Sequence, residues 1–149
     1  MGTMTIPVEA SWPSRLQAVL ARCEADAPRH MTGGPCAESA LRHLEDALGA
    51  ALPSPYRLFL SRLGGGVYYL RHEIFGAHRV ILHDIELVTD VSSFRTWLGA
   101  EVPAAWLPVH RAGHRIHALD LQGSGRVAVL GGSEPGYPDF TTFLEQVVR

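Results

Sequence analysis

The chain has 149 residues, of which 46% are hydrophobic and 19% charged, and its formal net charge is −2. This size fits one domain of residues 1–149, and the balance of residue types argues against intrinsic disorder. A slightly acidic chain is also a poor candidate for binding nucleic acid or an anionic membrane surface, because both partners attract proteins with a positive field.

The N-terminal segment predicts no targeting signal. Residues 1–9 lack the basic run and apolar core of a secretory signal peptide, and no apolar run approaches the ~20 residues that span a bilayer. The two cysteines, Cys23 and Cys36, are too few for a disulfide framework and indicate reduced thiols. We therefore expect a cytoplasmic protein.

Three helices are predicted in the first half of the chain. Pro13–Ala25 has an apolar stripe at helical spacing and is followed by a Pro/Gly linker over Pro28–Pro35. Cys36–Leu48 is the second helix, with Gly49 as its stop. The third begins at Ser54-Pro55, and Gly64-Gly65-Gly66 ends it.

The rest of the chain changes to the period of strands. Short strands are predicted over Val67–Leu70, Glu73–Phe75 and Arg79–Leu82, followed by a short helix carrying Phe94, Trp97 and Leu98. Turn sequences at 111–113 and 122–125 separate three further strands, which predicts an antiparallel meander of Ala105–His110, Arg115–Leu121 and Arg126–Leu130. A closing helix follows Tyr137-Pro138-Asp139, so the fold class is α+β with an antiparallel sheet.

Apolar positions shared by the helices and the meander predict one core. Its expected members are Leu44, Leu48, Tyr56, Phe59, Leu60, Leu119, Phe140 and Phe143.

Eight histidines raise the question of a metal site. His110, His114 and His117 lie close in sequence, but His114 and His117 would point to opposite faces of a strand because their separation is odd. A zinc site needs three or four converging ligands. We therefore expect no metal ion and no cofactor, and interpret the histidines as exposed loop and strand residues.

Patterns typical of nucleophilic or phosphate sites are incomplete. Gly131–Pro135 approaches the G-x-S-x-G elbow, but Pro135 stands at its last glycine. Gly64-Gly65-Gly66 lacks the Lys-Ser/Thr of a phosphate loop. Cys36 lies near a helix start, where a thiol pKa could fall, but packing is the favoured interpretation. No catalytic group is predicted, so we expect no enzyme.

Aromatic and acidic residues supply candidates for a binding surface. Tyr68 and Tyr69 are neighbours on a predicted strand, so one should point outward, whereas Trp97 fits a buried helical stripe. Asp84 and Glu86 belong to an acidic stretch that is either an ordinary solvated edge or a surface for a basic partner.

An ordered set of motifs resembles a known family. It consists of a helix with Leu44-Glu45, then Leu48-Gly49, Leu52-Pro53, Tyr56–Leu60, Gly64-Gly65, Ile74-Phe75-Gly76, Trp106–Val109, Ala118–Leu121 and Phe140-x-x-Phe143-Leu144. This order looks like the SUKH superfamily, which includes the fungal Smi–Knr regulators and many bacterial immunity proteins. The resemblance covers a core of residues 37–148 and leaves 1–36 as an N-terminal extension with one helix and a Pro/Gly linker.

The resemblance implies an α+β fold with a central, largely antiparallel sheet flanked by helices, to which this chain adds an N-terminal helix. It implies no catalysis. A bacterial member would be an immunity protein that binds a cognate toxin domain, and the alternative is a regulatory scaffold or small-ligand-binding domain. The partner is expected on the sheet face that the helices leave free and at its rim. The candidate contact residues there are Tyr68, Tyr69, Asp84, Glu86, His114 and Arg115.

Overall fold

The computed structural model describes residues 8–99, 102–103, 105–122, 125–132 and 135–149. Two sequence patterns reach beyond these ranges, because the 122–125 turn includes Gly123 and Ser124 and the 131–135 pattern includes Ser133 and Glu134. Across the described ranges, no helix is both long and apolar enough to cross a membrane.

The described residues form five α-helices, which are α1 Val8–Ala25, α2 Glu38–Leu48, α3 Ser54–Arg62, α4 Val91–Leu98 and α5 Phe140–Val147. The strands are β1 Met31–Thr32, β2 Gly66–Tyr68, β3 His72–Ile74, β4 Val80–Leu82, β5 Ile85–Val88, β6 Trp106–Ala112, β7 Arg115–Asp120 and β8 Val127–Val129. Helix α1 begins at Val8 rather than at the predicted Pro13, which lies inside the helix and leaves one backbone carbonyl without its usual donor.

Six strands form one sheet in the order β1-β2-β3-β6-β7-β8, and every neighbouring pair is antiparallel. The predicted meander is present as β6, β7 and β8. Strands β4 and β5 form a separate two-stranded hairpin. The predicted α+β class, the antiparallel sheet and the additional N-terminal helix are therefore confirmed.

Helices cover the two faces of the sheet unequally. His110 and Arg111 are consecutive in β6, so their side chains lie on opposite faces. The His110 ring contacts Phe143 of α5 at 4.8 Å between centroids, whereas the Arg111 guanidinium lies 5.0 Å from the ring of Phe94 in α4. Helices α1, α3 and α5 pack together on the first face, and α4 covers part of the second.

The predicted core is confirmed. Seven of its eight members are buried, and Leu48 is partly buried against the same cluster. Tyr56 and Phe59 of α3 meet Phe140 of α5 in edge-to-face contacts at 5.3 and 5.8 Å. These contacts join the third and last helices over the sheet.

Replacing Tyr56 with phenylalanine should lower the free energy of unfolding by about 1–2 kcal/mol. The buried Tyr56 hydroxyl donates a 2.7 Å hydrogen bond to the carbonyl of Phe75, and the variant leaves that carbonyl without this donor. Urea unfolding measures the difference. Tyr137→Phe is the matched control, because no hydrogen bond of its hydroxyl is found within the described ranges, and a loss as large in the control would contradict the assignment.

Candidate partner-binding surface

The prediction that Tyr68 or Tyr69 points outward is wrong. Their side chains are 1% and 7% exposed. Strand β2 ends at Tyr68, and the next two residues, Tyr69 and Leu70, have φ angles of 53° and 63°. The alternation of a strand therefore does not extend to Tyr69, and the left-handed turn directs its side chain back onto the protein.

The segment before α2 holds Tyr69 in place. The Tyr69 hydroxyl donates to Oδ2 of Asp26 at 2.8 Å, and its backbone N–H donates to Nδ1 of His30 at 3.0 Å. Nε2 of His30 lies 3.0 Å from the carbonyl oxygen of Cys23, so this nitrogen carries the ring proton. Tyr69 is thus a tie between the N-terminal extension and the sheet.

Burial raises the pKa of both cysteine thiols. The pKa of Cys23 rises to about 11, and that of Cys36 also lies above its ordinary value. Both thiols are free and buried. Cys36 is therefore a packing residue and not an activated thiol, as the favoured interpretation of the sequence held.

Large apolar side chains are exposed in several places. They are Met31, Leu70, Ile81, Leu82, Ile85 and Trp97. The prediction that Trp97 is buried is wrong, because its side chain is 75% exposed. Phe94, three residues earlier, takes the inward position of α4, and the centroid of its ring lies 5.7 Å from that of Trp97.

Three of these exposed side chains belong to one element, the hairpin of β4 and β5. Ile81 is 51% exposed, Leu82 54% and Ile85 62%. His83 and Asp84 form the connecting turn with φ angles of 51° and 64°. Positive φ at both central residues is characteristic of the type I′ hairpin turn, whose twist matches that of the flanking strands. The hairpin therefore presents an apolar tip to solvent.

Two of the predicted contact residues, Asp84 and Glu86, lie on this hairpin. The Glu86 carboxylate is paired with Arg79 at 2.6 Å, and its Oε1 lies 3.2 Å from the Thr89 hydroxyl oxygen. Asp84 is exposed at the turn, and its carboxylate makes no ion pair within the described part of the chain. Of the two acids, Asp84 is the one whose charge is available to a partner.

His114 and Arg115 lie elsewhere. Both are exposed, His114 in the turn between β6 and β7 and Arg115 at the start of β7. The hairpin packs near β1 and β2, and β7 lies three strands from β2 in the sheet order. The structure thus distributes the six predicted residues over three places. Asp84 and Glu86 lie beside the exposed apolar side chains of the hairpin.

Three histidines form a cluster that the sequence did not predict. Nδ1 of His72 lies 3.0 Å from Nε2 of His110, and Nδ1 of His110 lies 3.0 Å from Nδ1 of His117. They come from β3, β6 and β7, which are adjacent in the sheet. His110 pairs with Ile74 and with His117, so the rings share the face under α5. Among the residues that the structure describes, no group of three or more His, Cys, Asp or Glu side chains is arranged to hold a metal ion.

Comparison with known proteins places this fold in a family. No curated protein matches the sequence. The sequence profile of the SMI1 / KNR4 family (SUKH-1) matches residues 35–146, a range that begins just after β1 and ends within α5. The match takes in the meander, the hairpin and helices α2 to α5, which is most of the chain. The chain therefore belongs to the SMI1 / KNR4 family (SUKH-1), within the SUKH superfamily.

Proposed function

We propose that this protein is an immunity protein that binds a cognate bacterial toxin domain in the cytoplasm and neutralises it stoichiometrically, without turnover. Family membership over residues 35–146 supports a role of this kind. The observation that carries the proposal is the hairpin tip, where Ile81, Leu82 and Ile85 are all more than half exposed. Clusters of exposed apolar side chains on monomeric proteins are often sites where a partner binds.

Exposed charge near the apolar tip fits the anatomy of a non-obligate interface. Such interfaces combine an apolar centre with a polar rim. At the hairpin, Ile81, Leu82 and Ile85 would supply the centre, and Asp84 and the Arg79–Glu86 pair would supply the rim. His114 and Arg115 lie on another part of the surface, and their contribution to partner binding stays a prediction.

The experiment is neutralisation of toxins encoded beside the gene for this protein. Each toxin domain is expressed in bacterial cells with and without the protein, and a cognate pair should restore growth and elute as a 1:1 complex in size-exclusion chromatography with light scattering. A toxin domain of unrelated sequence is the control and should stay lethal, because immunity proteins discriminate between partners.

Titration of the purified pair separates binding from catalysis. Stoichiometric binding predicts that half an equivalent of the protein leaves half of the toxin activity. Complete neutralisation by a few hundredths of an equivalent would indicate turnover and contradict the proposal. The proposal would also be contradicted if every encoded toxin kept its activity in the presence of the protein.

A crevice next to the N-terminal extension is the feature that favours a small-ligand-binding role. A crevice of about 240 Å³ lies between the N-terminal extension and the core, with Cys23, His30, Arg62 and Tyr68 in its lining. Typical ligand sites enclose about 300–1,000 Å³. Two charged groups in its wall, Arg62 and Glu24, form an ion pair with each other at 2.7 Å. The crevice therefore supports a ligand role less well than the hairpin supports a protein partner.

A further inference from the structure

The base of the hairpin is fixed by close contact with glycines. A Cβ atom at Gly33 would lie 2.8 Å from Cγ2 of Val88, and one at Gly76 would lie 2.6 Å from its Cγ1. Val80 meets the same surface, since its Cγ2 would lie 3.0 Å from a Cβ at Gly33. Because glycine has no side chain, the two valines pack directly on the backbone of these glycines. This contact anchors the hairpin to the second face of the sheet.

Hydrogen bonds hold the same base. The backbone N–H of Gly76 donates to the carbonyl of Thr89 at 2.8 Å, and the N–H of Val91 donates to the carbonyl of Gly76 at 2.9 Å. The Thr89 hydroxyl donates to Oε2 of Glu73 in β3 at 2.7 Å. An anchored base and a tight turn make the tip preorganised, so little conformational entropy is lost when a partner binds it.

The tip is apolar on both of its faces. Leu82 is paired with Ile85, so these two side chains share one face, and Ile81 is paired with Glu86 on the other. All three apolar side chains are more than half exposed. A flat partner surface could cover only one face of the hairpin, whereas a cleft covers both.

The charge at the apex adds a requirement. Asp84 shares the turn with His83, so these two residues would go deepest into a cleft, and Asp84 brings a carboxylate there. A carboxylate taken out of water is costly unless a cation meets it. Glu86 lies further back and already has Arg79 as its partner.

We infer that the hairpin tip inserts into a concave cleft of the toxin domain that has apolar walls and a Lys or Arg side chain near its floor. This inference rests on the proposed immunity function and names the surface that performs it. A second copy of the chain is the poorer occupant, since two tips meeting symmetrically would bring two Asp84 carboxylates together. The hairpin would then block any substrate that the toxin binds in this cleft.

The test measures the dissociation constant of the complex with the toxin domain that the neutralisation experiment identifies. Leu82→Ser with Ile85→Ser removes one apolar face, and Ile81→Ser removes the other. We expect each of the two variants to weaken binding by at least about 30-fold, the loss typical of residues central to an interface. Asp84→Asn should weaken binding by about tenfold and reduce its dependence on salt.

Trp97→Ser is the matched control, because Trp97 is more exposed than any of the three apolar residues of the tip and lies on α4. It should change binding by no more than about twofold. All the variants alter exposed side chains, so their thermal unfolding should stay close to that of the parent protein, which separates loss of contact from loss of fold.

Each outcome has a distinct meaning. If the parent protein neutralises a toxin and the hairpin variants bind it equally well, the inference is overturned and the immunity function stands. If the variant at Leu82 and Ile85 weakens binding and the Ile81 variant does not, the partner surface is flat and the inferred cleft is contradicted. If the parent protein binds no toxin, the immunity function and the inference both fall.

Discussion

Replacing Gly64 with alanine is expected to lower the free energy of unfolding by more than about 4 kcal/mol and to leave little folded protein. Gly64 follows α3 with a φ of +84°, a conformation that L side chains rarely adopt. A Cβ atom there would also overlap the carbonyl oxygen of Gly34. The backbone of the linker thus lies directly against the end of α3, and no side chain fits between them.

Gly49 provides the matched control. It ends α2 with a φ of +69°, but no atom lies within 4 Å of a Cβ built there. Gly49→Ala therefore has only the conformational strain, about 1–2 kcal/mol. Urea unfolding and the soluble yield of the two variants measure the difference. Equal losses would show that the contact between Gly34 and Gly64 contributes nothing.

The elements that the sequence predicted well are those whose signals are local. The apolar stripes of α2, α3 and α5 follow helical spacing, and all three helices are present. The meander was predicted because turn residues separate three runs of strand period, and β6, β7 and β8 pair as expected. Helices α2, α3 and α5 each have one apolar face. Burying these faces on the sheet also determines which residues form the core.

The tyrosines were misplaced because a strand ended sooner than its residues suggested. Tyr68-Tyr69-Leu70 has the composition of a strand, but Tyr69 and Leu70 adopt the left-handed conformation of a tight turn. Neither residue is one that favours positive φ, so composition gives no sign of the turn. The contacts of Tyr69 with Asp26 and His30 stabilise this conformation, and they join residues far apart in the chain.

The hairpin and the histidine cluster required pairing information that one sequence does not contain. Arg79–Leu82 was predicted as a strand, but β5 was not predicted as its partner. Acids alternate with the apolar residues of β5, which indicated either a solvated edge or a surface for a basic partner. The histidines come together because β3 pairs with β6, a contact that spans more than 30 residues. The pair His83-Asp84 was the sequence signal for the hairpin turn. Histidine and aspartate are among the non-glycine residues that are enriched at positive φ, which both residues adopt here.

The histidine cluster favours the neutral form of His110 for two reasons. Burial, reinforced by the neighbouring His117 and His72, lowers the pKa of His110 from its ordinary value of 6.5 to about 3. A charged His110 would also have to donate to Nδ1 of both neighbours, which puts the His72 proton on Nε2. That nitrogen is buried and has no hydrogen-bond partner within the described ranges, so its N–H would be unsatisfied.

Stability should therefore fall on mild acidification. Because the pKa of His110 is lower in the folded protein, the unfolded chain binds more protons below about pH 6.5. The contribution of neutral His110 is complete above this pH and is lost as the pH falls towards 3. At about 1.4 kcal/mol per pH unit, the free energy of unfolding should drop by about 2–3 kcal/mol between pH 6.5 and 4.5. Burial, together with Arg71, lowers the pKa of His72 as well and acts in the same direction.

Replacing His110 with phenylalanine should flatten this dependence by at least about half, since phenylalanine has no nitrogen that can bind a proton. The variant removes two hydrogen bonds and should be less stable at pH 7, so the slope and not the absolute stability is the measurement. Urea unfolding at steps of half a pH unit from pH 7 to 4.5 gives that slope. This pH range lies above the one in which carboxylates dominate the binding of protons. His114→Gln is the control and should keep the parent slope, because the His114 side chain is exposed in the β6–β7 turn. An unchanged slope in the His110 variant would mean that other groups bind the protons, and that the cluster stabilises the sheet through its hydrogen bonds alone.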